Sequence, residues 1–485
     1  MTSRFPAPQR PMFLVAALSA AFLIGPGVAS AAASGNPGSG RVTSPAALAA
    51  LVARATRATR AGVPGYSRQT GLACGVCHYG FPQLTPFGRL FKLNGYTMTG
   101  LKPIVSRTDS AARASLSLSP IGPVSVMALA SATRVAKALP GTIGTTAQFP
   151  QQMSVFLASG ITDKLGIFTQ FTYEDQAGTF GIDNTDLRFA THTTLATHDL
   201  IVGLTLNNNP TVQDVWNSTP AWSYPFVSAA VAPTPVAGTL IEGALGQSVV
   251  GLGAYSLFNN WLYTELSGYA SAPQAVPLPL DSGATNTMRS VSPYWRVAVQ
   301  HDFSSDYLMV GTFGMRAQMY PAGVIGPTNT YTDFGFDAQL EHRLSSGMLI
   351  GRASYIHENQ DLPASVAASP PASQNLANSL NSYKINLSYL PSPTHTLTVG
   401  LFGVSGRADT LLYAPSGVTG SSTGSPGSRG ASLELVVYPW LNVSLGAQYV
   451  LYQRFNGGSR NYDVPVNGRS ASDNNTLYMY LWLAY

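Results

Sequence analysis

Along most of the chain, hydrophobic and polar side chains alternate in runs of about ten residues, separated by short polar turns. The segment 152–174 shows two such runs on either side of the turn ITDK, in the sequence QMSVFLASGITDKLGIFTQFTYE. Alternation with a period of two predicts β-strands with one apolar face, and a short polar turn between two strands predicts a hairpin. This part of the chain therefore predicts paired antiparallel strands.

The same short joints recur along the chain at LATHD (195–199), FNN (258–260), FSSD (303–306), LSSG (344–347), LPSPT (390–394) and YPWL (438–441). Together with ITDK they predict about fourteen strands, and further strands near 120–131 and over 475–485 bring the number to about sixteen. Short joints alternate with longer ones that are rich in Gly, Ser, Pro and Asn. Because bacterial barrels have even strand numbers and short periplasmic turns, we predict a mainly β chain, with a transmembrane antiparallel β-barrel of about 16 strands over residues 111–485.

The last strand supports a barrel in lipid. Its alternate positions Leu477, Met479, Leu481 and Leu483 are apolar, and the chain ends on Tyr485. A lipid-facing strand with an aromatic residue at the membrane interface has this pattern. A secreted β-sandwich or propeller also explains the alternation. It does not explain the regular short and long joints, the aromatic end or the low charge described next.

Composition excludes several other classes of protein. Charged residues make up 10% of the chain, against about 25% in a typical soluble protein. With 45% hydrophobic residues the chain is too apolar to be disordered. No stretch beyond the N-terminus is apolar for about 20 residues, which argues against a helical membrane protein. The net charge of +5 comes from scattered Lys and Arg residues, so nothing indicates nucleic-acid binding.

The N-terminus reads as a secretory signal peptide. Arg4 and Arg10 precede an apolar stretch over 11–24, and small residues follow that allow cleavage after Ala31 or Ala33. We therefore assign residues 1–31 to an export signal and expect the barrel to lie in the bacterial outer membrane.

The chain contains two cysteines, and both lie in the motif CGVCH, as Cys74 and Cys77, with His78 next. C-x-x-C-H is the attachment motif of c-type haem, in which the thiols form thioether bonds and the histidine binds the iron. A thioredoxin-like site would need a βαβ setting, which the surrounding sequence does not predict. A structural zinc site would need four protein ligands, and three candidates lie nearby. We predict one covalent haem c at Cys74 and Cys77, with His78 as an axial iron ligand.

The flanks of the motif predict a small helical segment over 32–110. The stretch 44–62 begins with an N-cap residue followed by proline, a pattern typical of helix starts. The stretch TPFGRLFKLNG shows the same pattern, with Thr85 as N-cap and Pro86 at the first helical position, and Gly95 ends the helix. A segment this short can cover only part of a haem. We therefore expect the barrel to complete the pocket, with the segment in or beneath the lumen.

The second axial ligand is less well defined by the sequence. Met98 follows the second predicted helix, where a loop can fold back over the iron, and a thioether ligand would raise the reduction potential. Met98 is therefore the candidate second ligand. Met127, a barrel histidine and an open site are the alternatives.

Residues 66–96, followed by a barrel, resemble the fused monohaem cytochrome–porins of the bacterial outer membrane, as does NNNPTVQDVWNSTPAW (207–222). The resemblance is closest to the iron-oxidising outer-membrane cytochromes c of acidophilic Fe(II)-oxidising bacteria. It implies an oxidoreductase, or an electron carrier, that oxidises extracellular Fe(II) and passes the electron to a periplasmic blue copper protein or soluble cytochrome c. Cys74, Cys77 and His78 match the haem motif of that family, and no sixth ligand is carried over.

The long connection over 208–244 follows the fifth predicted strand, where the corresponding loop of general porins folds into the pore. We expect this one to fold inward over the outer face of the haem, with Asp214 and Trp216 near the route of Fe(II). An ordinary solvated loop is the alternative. Two rival functions remain: a diffusion channel with a haem plug, and a haem sensor or peroxidase with an open sixth site.

Overall fold

The computed structural model describes residues 64–98, 104–105, 117–118, 122–174, 178–272, 288–321, 325–415 and 418–485. The predicted signal peptide over 1–31 and the predicted helix over 44–62 lie outside these residues, as does the predicted boundary between residues 110 and 111. The first barrel strand begins at Val124.

Sixteen strands of the described residues form one closed antiparallel barrel, which confirms the predicted fold. The strands are β1 (Val124–Val135), β2 (Thr145–Gly160), β3 (Leu165–Glu174), β4 (Thr179–Leu195), β5 (His198–Asn207), β6 (Val249–Phe258), β7 (Leu262–Ser271), β8 (Ser292–Asp302), β9 (Asp306–Met319), β10 (Asn329–Leu344), β11 (Gly347–Asp361), β12 (Ala377–Ser392), β13 (His395–Gly406), β14 (Ser428–Trp440), β15 (Val443–Arg454) and β16 (Thr476–Ala484). The last strand pairs with the first, with Leu481 opposite Ala130. Closure leaves no strand edge that lacks a partner.

The seven joints predicted as short turns all lie between consecutive strands at one end of the barrel. Their residues suit the backbone that tight hairpins need. Between β4 and β5, Ala196 and Thr197 have φ values of 49° and 70°, and between β6 and β7, Asn259 and Asn260 have 45° and 57°. Two successive positive φ values match the twist of the flanking strands, and asparagine adopts them more readily than most residues.

The outer face of the barrel is apolar, as the alternation predicts. On β16, Leu477, Met479 and Leu483 point outward and are 38%, 49% and 41% exposed, whereas Tyr478 and Trp482 point inward and are buried. The prediction for the last strand is therefore confirmed. No helix in the described part of the chain has the length and apolarity needed to cross a bilayer.

Short helical elements lie between the strands and ahead of them. The helices are α1 (Pro64–Thr70), α2 (Cys74–Cys77), α3 (Pro86–Leu93) and α4 (Pro363–Ala367), with 3-10 turns at Pro220–Trp222, Leu240–Glu242 and Ala471–Asn474. Two short strand pairs join His78–Gly80 to Gln83–Leu84 and Ile104–Val105 to Ser117–Leu118. The first three helices belong to residues 64–98, which we call the plug segment because it lies inside the barrel.

Helix α3 begins and ends where the sequence predicts. The Thr85 side chain accepts a hydrogen bond from the backbone N–H of Gly88 at 3.1 Å, and Pro86 occupies the first helical position. At the other end Gly95 has a φ of 67°, and the N–H of Tyr96 donates back to the carbonyl of Phe91 at 3.0 Å. This is a Schellman ending, which requires a left-handed residue and therefore favours glycine.

Candidate functional site

The plug segment is attached to the inner wall of the barrel by hydrogen bonds from α1. Three groups donate to three neighbouring strands: the N–H of Gly65 to Oγ of Ser125 (2.6 Å), the hydroxyl of Tyr66 to the carbonyl of Ile167 (2.6 Å) and Nε2 of Gln69 to the carbonyl of Ala158 (2.7 Å). The wall therefore orients α1 directly, and the prediction that the segment lies in the lumen is confirmed.

Helix α3 is attached to the opposite side of the lumen. Arg89 forms a buried ion pair with Glu341 at 2.5 Å, and the Tyr255 hydroxyl donates to the carbonyl of Leu93 at 2.7 Å. Because a buried charge is costly without a partner, the pair fixes the position of the helix relative to the wall. The plug segment is thus held from both sides.

The cysteine motif is fastened to the start of α3. Oγ1 of Thr85 donates to the carbonyl of Val76 at 2.5 Å, and its N–H donates to the carbonyl of Cys77 at 2.9 Å. Thr85 therefore caps α3 and fixes the turn that carries both cysteines. Gly88 lies directly beneath this turn, where a Cβ atom would be 2.1 Å from the carbonyl oxygen of Cys77.

We expect Gly88→Ala to reduce covalent haem attachment several-fold. The new methyl group would displace the backbone of Cys77, and overpacking of this kind costs about 1–3 kcal/mol. The measurement is haem staining of the denatured protein, normalised to the amount of folded barrel. Gly122→Ala is the matched control, because a Cβ atom there meets no atom within 4 Å. Equal haem staining of the two variants would contradict the role of Gly88.

Cys74, Cys77 and His78 line a single cavity, which we call the haem cavity. Apolar side chains make up much of the remaining wall, from the plug segment, the barrel and a long loop: Leu72, Phe81, Phe91, Phe168 and Trp222. The structure thus brings the three motif residues together in a mainly apolar space.

The chemistry of these residues suits a haem. Nδ1 of His78 is buried and has no hydrogen-bond partner. Burial lowers the pKa of His78 to about 4, against the opposing effect of the carbonyls of Pro82 and Gln83. The imidazole is therefore neutral near pH 7, the form that binds metals. Burial also raises the pKa of the Cys77 thiol to about 12, with a further contribution from Cys74, which does not favour a reactive thiolate.

A metal site built from protein ligands alone has less support. Within the residues that the structure describes, no three His, Cys, Asp or Glu side chains are grouped so that they could hold a metal ion. The residues that could hold a cofactor are therefore the two thiols, as covalent attachment points, and the His78 imidazole, as an iron ligand.

Met98, the last residue of the plug segment, does not line the haem cavity. Its sulfur accepts a hydrogen bond from Nδ2 of Asn94 at 3.3 Å, and its side chain packs against a hydrophobic cluster that includes Phe91 and Tyr96. Met127 lines an adjoining cavity instead. The role of Met98 as second axial ligand stays a prediction.

The long connection between β5 and β6 folds into the lumen, which confirms the inward course predicted for it. We call residues 208–248 the inner loop. Residues 209–219 are buried throughout, and Asp214, Asn217 and Trp222 line the haem cavity. Trp216 does not: it is 1% exposed and donates from Nε1 to the Tyr307 hydroxyl at 2.5 Å. Of these two tryptophans of the loop, Trp222 and not Trp216 lines the cavity, and the expected place of Asp214 and Trp216 near the route of Fe(II) stays a prediction.

A buried charge network fastens the inner loop to the wall. The Asp214 carboxylate accepts hydrogen bonds from three loop N–H groups, those of Trp216 (2.9 Å), Ser218 (3.0 Å) and Thr219 (3.0 Å). Arg296 of β8 lies 3.6 Å away and also binds Asp337 at 2.7 Å. Burial opposes ionisation of Asp214, yet Arg296 and these N–H groups hold its pKa below the usual value.

Lys92 is a site residue that the sequence did not single out. It lines the haem cavity from α3, and its Nζ donates to the carbonyls of Val212 at 2.6 Å and Asp214 at 2.8 Å. Burial, together with the nearby Arg188, lowers its pKa to about 7. In the sequence, Lys92 resembles an ordinary solvent-exposed helix residue of TPFGRLFKLNG. No local sequence pattern could therefore have identified it as a site residue.

Comparisons with known proteins add little to this geometry. No family model matches the chain, and no curated protein sequence matches it. Among solved structures, the outer-membrane channel DcaP of Acinetobacter baumannii is 10% identical over 79% of this chain and 100% of its own, with a TM-score of 0.44. An anion-selective porin from Comamonas acidovorans is 10% identical over 75% and 98%, with a TM-score of 0.43, and OmpT of Vibrio cholerae is 12% identical over 75% and 97%, with a TM-score of 0.40. Likeness at this level carries no argument beyond the barrel already described.

The barrel itself places the chain in a membrane. A closed antiparallel barrel with an apolar outer face satisfies every strand hydrogen bond within lipid, which open sheets do not. Single-chain barrels of this kind belong to bacterial outer membranes. The protein is therefore a porin-like barrel of the bacterial outer membrane, with a lumen that contains the plug segment and the inner loop.

Proposed function

We propose that this protein is an outer-membrane cytochrome c that oxidises extracellular Fe(II) and passes the electron to a periplasmic carrier. The observation that carries the proposal is that Cys74, Cys77 and His78 line one mainly apolar cavity inside the lumen of a membrane barrel. A haem bound there would supply a one-electron redox centre within an otherwise insulating membrane.

The protein's own residues would hold and shield this centre. Cys74 and Cys77 would anchor it covalently, and the neutral His78 imidazole would bind the iron from one side. Phe91 and Phe168 line the cavity with apolar surface that would limit the access of water to a bound haem. An exposed haem edge would be wetted and its potential lowered, so these walls favour a potential high enough to accept an electron from Fe(II).

The inner loop would give Fe(II) an approach to the cavity. Trp222 and Pro82 line both the haem cavity and a second cavity of about 1,580 Å3, which also contains Glu174 and Asp183. Fe(II) in that space would be separated from the haem cavity by little more than one side chain. Carboxylate oxygens are suitable for a hydrated divalent cation.

There is a chemical reason for the electron, rather than the metal ion, to cross the outer membrane. Each Fe(II) loses one electron and becomes Fe(III), which precipitates as mineral except at very low pH, so oxidation outside the cell keeps the product outside. The electron would leave at the end of the barrel with short turns, where a periplasmic blue copper protein or soluble cytochrome c would accept it. The protein would then act as an oxidoreductase, or as an electron carrier in a chain.

The experiment is anaerobic mixing of purified oxidised protein with Fe(II) at acidic pH while the haem absorption bands are followed. We expect stoichiometric reduction of one haem per chain and a low-spin spectrum. A haem that Fe(II) fails to reduce, in a protein that conducts in planar bilayers, would favour the diffusion channel. A high-spin haem with peroxide turnover would favour the sensor or peroxidase.

A further inference from the structure

Three cavities lie in the lumen beside the plug segment. The outer cavity, of about 1,660 Å3, lies between the inner loop and strands β12–β15. The middle cavity is the space of about 1,580 Å3 already described, between the inner loop and β1–β4. The inner cavity, of about 480 Å3, lies against β13–β16 and reaches Thr396 and Ser444, close to the short turns. Together they extend past the plug segment toward the end of the barrel with short turns.

The outer and middle cavities adjoin each other through a polar boundary. Pro225, Ser228 and Lys384 line both. Buried polar atoms without a protein partner face the outer and inner cavities, namely Nδ2 of Asn386 in the outer one and Oγ1 of Thr396 in the inner one. Buried polar groups of this kind are usually satisfied by water. The outer and inner cavities are therefore suited to water.

The boundary between the middle and inner cavities is different. Four residues line both, and all four are apolar: Phe81, Phe226, Val227 and Trp482. We call them the apolar collar. Phe81 and Trp482 stack with ring centroids 5.6 Å apart and ring planes 19° apart. An apolar boundary between two spaces disfavours water, and a hydrated ion cannot cross an apolar constriction without losing its shell.

We propose that the lumen beside the plug segment is a gated pathway for water and small ions, and that the apolar collar is its gate. The gate combines three separate parts of the chain, because Phe81 belongs to the plug segment, Phe226 and Val227 to the inner loop, and Trp482 to the last strand. This activity goes beyond electron transfer and does not depend on it.

Hydrogen bonds from two strands of the barrel wall hold the inner-loop residues of the collar in the closed position. The carbonyl of Val227 accepts a hydrogen bond from Nε2 of Gln448 at 3.2 Å, and the carbonyl of Ser228 accepts one from Nε2 of Gln151 at 3.0 Å. These side chains belong to β15 and β2, on either side of the seam where the barrel closes. Opening the gate would require the inner loop to leave at least one of these partners.

The test is ion conductance of the full-length protein in planar bilayers containing KCl. The wild-type protein should conduct little, because an apolar collar disfavours water. The double variant F226S/V227S, which makes the loop side of the collar polar, should raise conductance by at least about tenfold. Val236→Ser is the matched control: it makes the same change on the same loop, at a residue that is 38% exposed and lines none of the three cavities.

Trp482→Ala provides a second, independent opening of the collar from the strand side. Heat-dependent migration in gels shows which variants keep a folded barrel, and conductance is compared among those. Folded collar variants that remain as silent as the wild type would overturn the proposal, and so would a wild-type protein that already conducts like an open porin. Reduction of the haem by Fe(II) is measured separately, so failure of the proposed cytochrome function would leave the conductance result intact.

Discussion

Serine at both Cys74 and Cys77 is expected to abolish covalent haem and, with it, oxidation of Fe(II) by the purified protein. Serine has nearly the volume of cysteine but cannot form a thioether, so the change removes the attachment while it preserves the shape of α2. The barrel should still fold, because its sixteen strands close through ladders that do not include the motif. Haem staining of denatured protein and Fe(II)-dependent absorbance changes are the two measurements.

The matched control for the double serine variant is Thr70→Ser. Thr70 lines the haem cavity, and its hydroxyl donates to the carbonyl of Tyr66 at 2.8 Å, a bond that serine can retain. We expect this variant to keep its haem and its activity. If cells carrying the double serine variant still respire on ferrous iron, the cytochrome proposal is wrong.

Removal of residues 210–222 is expected to lower both Fe(II) oxidation and stability. These residues contribute Asp214, Asn217 and Trp222 to the haem cavity, so water would reach the haem and its potential should fall. The deletion also takes Asp214 from Arg296, which keeps Asp337 at 2.7 Å, so we expect the loss of this one partner to cost about 1–3 kcal/mol. The measurements are the reduction potential, the rate of Fe(II) oxidation and the temperature of barrel unfolding.

Trp222→Ala separates the effect on the cavity from the effect on stability. It opens the wall between the haem cavity and the middle cavity but leaves the Asp214–Arg296 contact in place. We expect a changed potential and a changed oxidation rate in a barrel of nearly unchanged stability. Trp261→Ala, at a residue that is 41% exposed, is the control. Undiminished oxidation by the deletion protein would show that the inner loop has no part in the reaction.

Buried charges hold the inner loop and the plug segment in place within the lumen. Arg352 of β11 donates from Nε to the carbonyl of Trp216 at 2.9 Å and from Nη1 to Oε1 of Gln83 at 2.9 Å. One side chain of the wall thereby contacts both the inner loop and the plug segment. Hydrogen bonds to charged groups contribute more than neutral ones, about 1.5–3 kcal/mol each, so the wall, loop and plug segment stabilise one another.

The sequence by itself determined the strands, the short turns, the outward face of β16 and helix α3, because each depends on neighbours within a few residues. Alternation with a period of two requires only the residues of one strand, and the haem motif spans five consecutive positions. The haem assignment remains a proposal that rests on this motif and on the cavity that contains it.

Only the tertiary structure decided which distant residues complete the site. The register that closes the barrel brings Phe168 and Trp222 to Cys77, and it places Trp482 against Phe81. The different surroundings of Trp216, which is buried against Tyr307, and Trp222, which lines the haem cavity, have the same origin, because each depends on which wall its part of the loop meets. Local pattern carries no information about such contacts, because they form between segments about 90 to 400 residues apart once the barrel has closed.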